Sequence, residues 1–498
     1  MKKIILMILL AFGYTAMHSQ TVNDALNYSQ DNITGTARFK AMGGAFGALG
    51  GDLSSMNVNP AGSVIFANNQ VGITLSNFQV NNDATFYGSK RTTTNNTFDV
   101  NQAGGVFVFD ADTNSGWKKF AFAINFDNSK NFNNNVAVAG LNTNNSIANY
   151  FLNYANGIPL STLNNFSYGD LFYNEQQAYL GYNAFIIDPV SNTPNNTSYV
   201  SAVVAGQYNQ ESITSTRGNN SKATFNFAAQ YEDKLSIGLN LNTHFSEFRQ
   251  SSTFVETNTN NTSTTENYVK SIRFNNDIYT QGSGFSFQIG AIYKPIQKLR
   301  LGLAFESPTW YQFTDEVSQN ISATSGTVNT NLPPDVVNPS TGSIIFEPYN
   351  LRTPAKITGS VAYVFNKRGL LSIDVSNKDY SSTIFRPEKD FVNTNKAISQ
   401  SLNSSTEIRI GGEYKIKKLS LRGGYRWEES PFKLKNTMGD LTAYSGGLGY
   451  NFGSTKLDLA YSHSKRYTNQ SLFSQGFTDA PLINTVNNTV TLTLLFEL

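Results

Sequence analysis

The sequence predicts an all-β fold: a transmembrane antiparallel β-barrel of about 14 strands with an N-terminal hatch, or plug, inside its lumen. Three observations predict this fold. Apolar residues alternate with polar or small ones in many segments, short and long connections between these segments alternate, and one glycine-rich stretch fits neither pattern. The 498 residues include 14% charged and 13% aromatic side chains, and the mean hydropathy is −0.31. This composition differs from that of soluble proteins and of helical membrane proteins.

The N-terminus has the features of a secretory signal peptide. Lys2 and Lys3 precede an apolar run at residues 4–12, which is too short to span a bilayer as a helix, and Ser19 is a small residue at the expected cleavage site. We therefore predict a signal peptide over residues 1–19. The chain has no cysteine, which excludes disulfides and thiolate metal sites, and its net charge of +2 gives no reason to expect a nucleic-acid partner.

Residues 20–68 are predicted to form the plug. Within them, residues 35–66 alternate small residues with bulky apolar ones at a spacing of three or four. Each glycine would weaken a solvated helix by about 1 kcal/mol relative to alanine, so we expect backbone that packs inside another structure. The bulky side chains either line a ligand pocket or attach the plug to the barrel wall. They are Phe39, Met42, Phe46, Leu49, Leu53 and Met56.

The glycine-rich stretch ends in an Asn-Pro-Ala-Gly motif formed by Asn59, Pro60, Ala61 and Gly62. The residue before a proline is restricted to extended conformations, and an asparagine amide can satisfy a strand edge that a kink has opened. We predict that these residues have a structural role in the hatch. If that edge is also the gap in the wall, they belong to the gate.

Residues 69–498 are predicted to form the barrel. The strands begin near residues 70, 103, 118, 223, 235, 285, 299, 356, 370, 407, 419, 443, 456 and 489. Connections between them are alternately short and long, as in outer-membrane barrels with short periplasmic turns and long extracellular loops. The longest predicted loops cover about 128–222, 246–284 and 306–354, and residues 147–163 have the spacing of a short helix. A soluble sandwich or propeller is the alternative, but the hairpins have no fixed repeat length.

Strand parity turns several charged side chains into the lumen. In one predicted hairpin Glu407, Arg409 and Glu413 face inward, and in its second strand Arg422 and Arg426 do so, with Glu407 expected opposite Arg426. Buried charges need partners, so these groups form either a salt-bridge network that anchors the plug or a site for a ligand carboxylate. The arginines that could bind such a carboxylate are Arg300, Arg409, Arg422 and Arg426.

Several of these motifs resemble the outer-membrane long-chain fatty-acid transporter family of the FadL, OmpP1 and TodX type. The glycine-rich run ending at residues 59–62 is the most specific, and residues 353–356, 410–414 and 421–425 also match. The resemblance implies a monomeric barrel in the outer membrane of a Gram-negative cell. It also implies that a hydrophobic small molecule is captured in an apolar pocket and released sideways into outer-membrane lipid through a gap in the third strand, residues 117–128.

Other functions remain open at this point. Some barrels of protein-secretion systems resemble the same family, so a secretion component or shuttle is the main alternative to a transporter. A general porin would need an open lumen, and a haemin receptor would need axial ligands, for which parity offers His244 facing inward and His463 facing outward. We expect no enzymatic activity, no cofactor and no metal.

Overall fold

The computed structural model describes residues 20–111, 116–260, 267–327, 335–366 and 368–498. The predicted signal peptide, residues 1–19, lies outside these described residues. None of the helices in the described ranges has the length and apolar character that a membrane-spanning helix requires.

The dominant element is one large antiparallel sheet. In chain order the strands are β1 (Gln70–Phe86), β2 (Ser89–Asp110), β3 (Trp117–Asn131), β4 (Asn134–Asn142), β5 (Ile187–Pro189), β6 (Tyr199–Ser201), β7 (Tyr208–Tyr231), β8 (Leu235–Asn258), β9 (Asn267–Ile296), β10 (Leu299–Glu306), β11 (Trp310–Thr327), β12 (Val336–Val337), β13 (Ser343–Ile345), β14 (Tyr349–Arg352), β15 (Lys356–Phe365), β16 (Gly369–Asp379), β17 (Ile384–Arg386), β18 (Ser404–Ile416), β19 (Leu419–Glu428), β20 (Leu441–Asn451), β21 (Thr455–Asn469) and β22 (Leu482–Glu497).

Fourteen of these strands close into a barrel, which confirms the predicted fold class. The wall consists of β1 to β3, β7 to β10, β15, β16 and β18 to β22. The last strand returns to the first, so that Gln70 lies opposite Glu497 and Thr85 lies opposite Leu482. Closure removes the sheet edges, which is the condition for a sheet to stand in lipid.

Several strands extend further from the membrane than the sequence analysis predicts. On β8 the outward side chains from Leu235 to Phe245 are apolar except Thr243, and they become charged at Glu247 and Arg249. The apolar part has the length that one membrane crossing requires. Beyond it both faces of the strand contain polar residues, and the alternation that identifies a strand fades. The segments predicted as loops are therefore partly strand. β7 begins within 128–222, β8 ends and β9 begins within 246–284, and β11 lies wholly within 306–354.

Short helices lie in the plug and in the long extracellular connections. They are α1 (Val22–Ser29), α2 (Ala37–Ala41), α3 (Ala148–Ala155), α4 (Leu160–Asn165), α5 (Tyr173–Asn183) and α6 (Val392–Ser401), with 3-10 turns at Leu53–Asn57, Pro60–Ile65, Tyr168–Asp170 and Tyr380–Ser382. Helices α3 and α4 occupy the segment 147–163 that the sequence predicts as helical. With α5 they pack around Phe151 and Phe477 in an apolar cluster at the extracellular end.

The plug, residues 20–68, fills the lumen with turns and short helices instead of one long helix. Gly43 and Gly44 have φ of +61° and +77°, so the chain reverses direction directly after α2. A Cβ atom at Gly43 would lie 3.0 Å from the carbonyl oxygen of Tyr425 in the wall. Glycine is needed here both for the backbone conformation and for the close approach.

Glycines on the inner face of the wall receive the plug. A Cβ atom at Gly424 would lie 2.2 Å from the backbone nitrogen of Gly43, and one at Gly302 would lie 2.3 Å from the carbonyl oxygen of Gly47. Two backbones therefore meet with no side chain between them. The plug can approach the wall this closely because glycine lies on both sides of each contact.

Candidate functional site

The apolar plug residues form two clusters against the wall. Phe39, Met42, Phe46 and Leu49 pack with Val58 and with Ala362 of β15. Leu53 and Met56 pack with Val64 and Phe66 of the plug and with side chains of β2, β3, β7 and β22. All six predicted residues are almost completely buried. This arrangement attaches the plug, and ligand contact by these side chains stays a prediction.

A buried carboxylate of the wall holds the first cluster in place. The side chain of Asp374 on β16 accepts hydrogen bonds from the backbone nitrogens of Phe46 and Gly47, each at 3.0 Å. Arg409 lies 4.0 Å from the same carboxylate. Asp374 thus satisfies two backbone donors of the plug that would otherwise lack partners in a turn without secondary structure.

The Asn-Pro-Ala-Gly motif contacts the wall at β7 to β9. The Asn59 side chain donates to the carbonyl oxygen of Gly47 at 2.7 Å and to that of Ala291 on β9 at 3.0 Å. The carbonyl oxygen of Pro60 accepts from the side chain of Asn226 on β7 at 2.9 Å. The asparagine does bond to strand backbone, but at β9 and not at β3. A gating role for Asn59, Pro60, Ala61 and Gly62 remains a prediction.

The register of the β18–β19 hairpin differs from the expected one by two residues. Arg426 lies opposite Arg409, and Glu407 lies opposite Glu428. The two turn residues are Lys417 and Lys418, between Ile416 and Leu419, whereas the expected register places the turn one residue earlier, at 416 and 417. The prediction that Glu407 lies directly opposite Arg426 was therefore wrong, although the two side chains still meet diagonally at 2.5 Å.

Three of the four candidate arginines are ion-paired with wall carboxylates. Arg426 also contacts Glu428 at 2.6 Å, and Arg409 lies 3.7 Å from Glu407. Arg422 bridges two acids, Glu413 at 2.7 Å and Asp458 at 2.5 Å. This geometry favours the structural interpretation of the cluster over ligand binding.

The same network reaches into the plug. Arg38 on α2 donates to Glu413 at 2.9 Å. The fourth candidate, Arg300, donates to the carbonyl oxygen of Leu49 at 2.7 Å and borders a cavity of about 390 Å³ at the periplasmic end. Both arginines therefore connect the plug to the wall.

The two candidate histidines, His244 and His463, have ordinary polar partners. His244 lies inside the barrel, 2.8 Å from the Ser286 hydroxyl and 3.3 Å from the Tyr311 hydroxyl. His463 bonds to Asn488 at 2.9 Å. These contacts occupy both ring nitrogens of His244 and the Nδ1 of His463, and they favour a structural role for both side chains.

The wall has a slit between β2 and β3. Their ladder ends at the pair Gln102 and Asp127, just past the outward Phe126, and the exposed Val100 and Phe98 of β2 continue the apolar outer face beyond this pair. Beyond it, within the described part of the chain, residues 89–101 of β2 pair with β1 alone, while β3 continues on β7. We call this opening the wall slit. It lies next to the strand in which the family resemblance implies a gap.

Few polar contacts cross the wall slit. The side chains of Asp99 and Asn128 are hydrogen-bonded across it, and the Asn101 amide donates to the carbonyl oxygen of Asn128 at 3.4 Å. Behind the slit, the backbone nitrogen of Gly35 donates to the Asn101 side chain at 2.7 Å. Further toward the extracellular end, the Thr93 hydroxyl of β2 donates to the carbonyl oxygen of Asn135 on β4.

A cavity of about 140 Å³ lies between the plug and the wall, close to the slit. We call it the lumen cavity. On the plug side it is lined by residues 32–34 and by Lys40, and on the wall side by Phe78 and Val80 of β1, among others. Asn131 and Asn133, at the junction of β3 and β4, line it beside the slit.

Of the residues that line this cavity, Arg426 is a candidate predicted from the sequence, whereas Lys40 and Phe78 are not. The available signal for Lys40 was a charged side chain within an otherwise small and apolar stretch. Phe78 gave no signal, because an inward aromatic residue in a strand resembles ordinary packing.

Comparison with known proteins agrees with this architecture. The chain is similar to a Pseudomonas aeruginosa FadL homologue, with a TM-score of 0.54 and 12% identity over 94% of this chain and 99% of the other. It is also similar to the Pseudomonas putida toluene transporter TodX, with a TM-score of 0.50 and 14% identity over 94% and 100%. At these identities the likeness concerns the fold. No significant match was found among curated proteins.

The family assignment rests on the sequence itself. The family model described as outer membrane protein transport protein (OMPP1/FadL/TodX) matches residues 184–490, more than half of the chain. The resemblance inferred from the motifs is confirmed, and so is the outer-membrane location of the barrel. The protein is thus an outer-membrane transport barrel that belongs to the OMPP1/FadL/TodX family.

Proposed function

We propose that the protein, acting as a monomer, carries long-chain fatty acids or similar hydrophobic small molecules into the outer membrane by lateral release through the wall slit. One observation carries this proposal. The β2–β3 ladder ends at Gln102 and Asp127, before the exposed apolar residues Val100 and Phe98 of β2, and the lumen cavity reaches the slit at Asn131 and Asn133. A molecule in the cavity therefore lies beside an interruption of the wall at the level of lipid.

The energetics of an apolar ligand favour this exit. Such a molecule gains free energy when its surface leaves water, and it loses that gain if it must enter the aqueous periplasm. The plug, held by Asp374, Glu413 and the inward wall glycines, obstructs the direct route to the periplasm. Release into lipid needs no covalent chemistry and no cofactor.

The plug segment behind the slit is suited to act as the gate. Gly35 bonds to Asn101, which in turn bonds to the β3 backbone at Asn128. A displacement of residues 32–35 would free Asn101 and loosen both sides of the slit. The Asn59 motif would serve as the fixed anchor on β7 to β9 during this movement.

The relatives support the class of ligand. One similar structure is that of a toluene transporter, and another is that of a FadL homologue. Uptake of an apolar molecule is thus compatible with this architecture.

A cross-link over the slit tests lateral release. The chain contains no cysteine, so the pair Asp99→Cys and Asn128→Cys can be bridged selectively with a short bifunctional thiol reagent. We expect the bridge to abolish most uptake of a labelled long-chain fatty acid in cells, and reduction of a cleavable bridge to restore it. The measurement is initial uptake at equal barrel levels.

The matched control is the pair His463→Cys and Asn488→Cys. These side chains are also hydrogen-bonded across neighbouring strands, β21 and β22, but there the ladder is intact. Bridging this pair should leave uptake unchanged. Full uptake with the slit bridged would exclude release by this route, and loss of uptake with both bridges would show that any stiffening of the wall suffices.

A further inference from the structure

Lys40 is a buried amine that faces the lumen cavity. It lies in the last turn of α2 with 4% of its surface exposed, and its ammonium group is 5.0 Å from the centre of the Phe78 ring. Within the described residues the structure records no ion pair for Lys40. Burial lowers the pKa of this amine to about 7.

Neighbouring basic groups of the lumen are each hydrogen-bonded or ion-paired to an oxygen acceptor. Arg38, two residues earlier, pairs with Glu413 at 2.9 Å, and Arg426 pairs with two glutamates. Lys356 pairs with Asp31 at 3.0 Å. Lys130 has polar acceptors from Asn27, at 2.5 Å and 3.1 Å. Each of these groups has an acceptor for its positive charge. Lys40 instead faces the Phe78 ring and the lumen cavity.

An uncompensated ammonium in such a place is costly, because burial removes its water without supplying an anion. The Phe78 ring offsets part of this cost by a cation–π contact. The remaining deficit disappears if an anion enters the cavity from outside the chain. Perturbed amines that line cavities are often binding groups for this reason.

The lining of the cavity fits an amphiphile. Apolar groups come from Ile33, Phe78, Val80 and Ala443, and hydroxyl groups come from the β20 to β22 side. The volume corresponds to roughly ten water-sized spheres, enough for a head group and the first methylene groups of a chain. The rest of the chain would point to Asn131 and Asn133 at the wall slit.

We propose that the lumen cavity binds the anionic head group of an amphiphile, a carboxylate in the first instance, with the Lys40 ammonium as its counter-ion. This inference rests on the proposed transport function and narrows its substrate class to anionic amphiphiles over neutral ones of equal length. Lys40 thereby acts as a specificity determinant in the plug. The paired arginines Arg409, Arg422 and Arg426 keep their structural role.

Binding of palmitate and of hexadecanol, which have equal chain length, to the purified full-length barrel tests the proposal. We expect the wild type to bind palmitate about tenfold more tightly than hexadecanol. Lys40→Met should remove about this factor from palmitate binding and leave hexadecanol within about twofold. Lys40→Arg, which keeps the charge, should retain the preference.

Lys130→Met is the matched control, because it removes a partly buried lysine that already has acceptors of its own, the backbone and side-chain oxygens of Asn27. It should not change the palmitate preference. Equal affinity of the wild type for both ligands, or an equal change in both with Lys40→Met, would overturn the inference. If Lys40→Met does not fold, the relative affinity of the wild type for palmitate and hexadecanol still tests the inference. If the wild type binds neither ligand saturably, the proposed function itself fails.

Discussion

At the scale of single residues, the plug is held by a few buried wall carboxylates. Asp374 is completely buried and accepts from two plug backbone nitrogens, while Glu413 accepts from Arg38. Hydrogen bonds to a charged acceptor are worth about 1.5–3 kcal/mol each, and more is lost when a partner is left unsatisfied. A single substitution can therefore loosen the plug without disturbing the wall.

Asp374→Ala is expected to increase the mobility of the plug around Phe46. The loss of both acceptor contacts should cost about 2–4 kcal/mol in local stability. Limited proteolysis of the folded barrel should then cleave the plug faster. Asp83→Ala is the control, since Asp83 forms an exposed pair with Lys90 that contributes little. Equal protease resistance of all three proteins would contradict the anchoring role of Asp374.

Lys40 makes stability depend on pH in a definite direction. Its pKa is about 7 in the folded protein and 10.5 for an exposed lysine, so the unfolded chain binds more protons between these values. The free energy of unfolding should therefore rise with pH from about 7 to 10.5, with the full penalty present below 7. Melting curves of the ligand-free barrel would show this trend.

Lys40→Met should abolish that contribution. We expect its advantage in melting temperature over the wild type to be largest at pH 6 to 7 and to narrow by about pH 9.5. Lys90→Met, at an exposed site, should differ from the wild type by a constant amount. A constant difference for Lys40→Met as well would show that Lys40 is not buried without a counter-ion.

The sequence predicts which lumen side chains carry charge better than it predicts their partners. Parity alone turned Glu407, Arg409 and Arg426 inward, as the structure has them. The pairs were displaced by two residues, because the turn lies at 417–418, one residue later than the expected register places it. Lys40 was missed because its environment is created by β1, which is remote in sequence.

At the scale of elements, inward glycines of the wall fix where the plug can lie. Gly424 on β19 touches the Gly43 backbone, whereas a Cβ atom at the adjacent Gly423 would have no neighbour within 4 Å. The two glycines therefore offer a matched pair of substitutions on one strand. The pair separates the effect of the contact from the effect of changing a glycine in a strand.

Gly424→Ala should displace the plug near Gly43, and Gly423→Ala should not. A new methyl group 2.2 Å from a backbone nitrogen forces a backbone shift, with a cost of about 1–3 kcal/mol. Thermal unfolding and proteolysis of the plug would detect it. If both variants behave alike, the close packing of plug and wall is not under strain at this position.

The strands themselves were predictable where they cross lipid. There the outer face must be apolar and the inner face need not be, so residues such as Leu235 and Phe245 alternate with polar ones. The extensions beyond the membrane were not predictable, because β8 after Glu247 has polar residues on its outer face and a mixture of polar and aromatic residues, such as Phe248 and Phe254, on its inner face. Their pairing depends on backbone hydrogen bonds, which leave no trace in hydropathy.

At the scale of the whole molecule, the proposed route depends on the plug and the slit together. The unusual composition of residues 35–66 predicts a plug, but not which strands it contacts. That choice depends on contacts between segments hundreds of residues apart, such as Asn59 with Ala291. The position of the slit likewise follows from the point at which β2 and β3 separate.

A filled lumen predicts electrical behaviour. The wild-type barrel in a planar bilayer should show no stable single-channel current, because the plug occupies the route to the periplasm. Gly424→Ala, which disturbs the plug, is expected to show intermittent opening, and Gly423→Ala is expected to remain silent. A steady ohmic current from the wild type would favour a general porin instead.

The long strands place the mouth of the barrel far outside the lipid layer. β9 has 30 residues, which at about 3.3 Å each and a tilt of about 45° rise roughly 70 Å, while the hydrocarbon layer is about 30 Å thick. The mouth of the barrel thus lies roughly 40 Å out from the lipid. Hydrophilic polymers that coat a cell surface to this depth would not bury the entrance. A sparingly soluble molecule can meet the protein beyond the layer that would otherwise repel it.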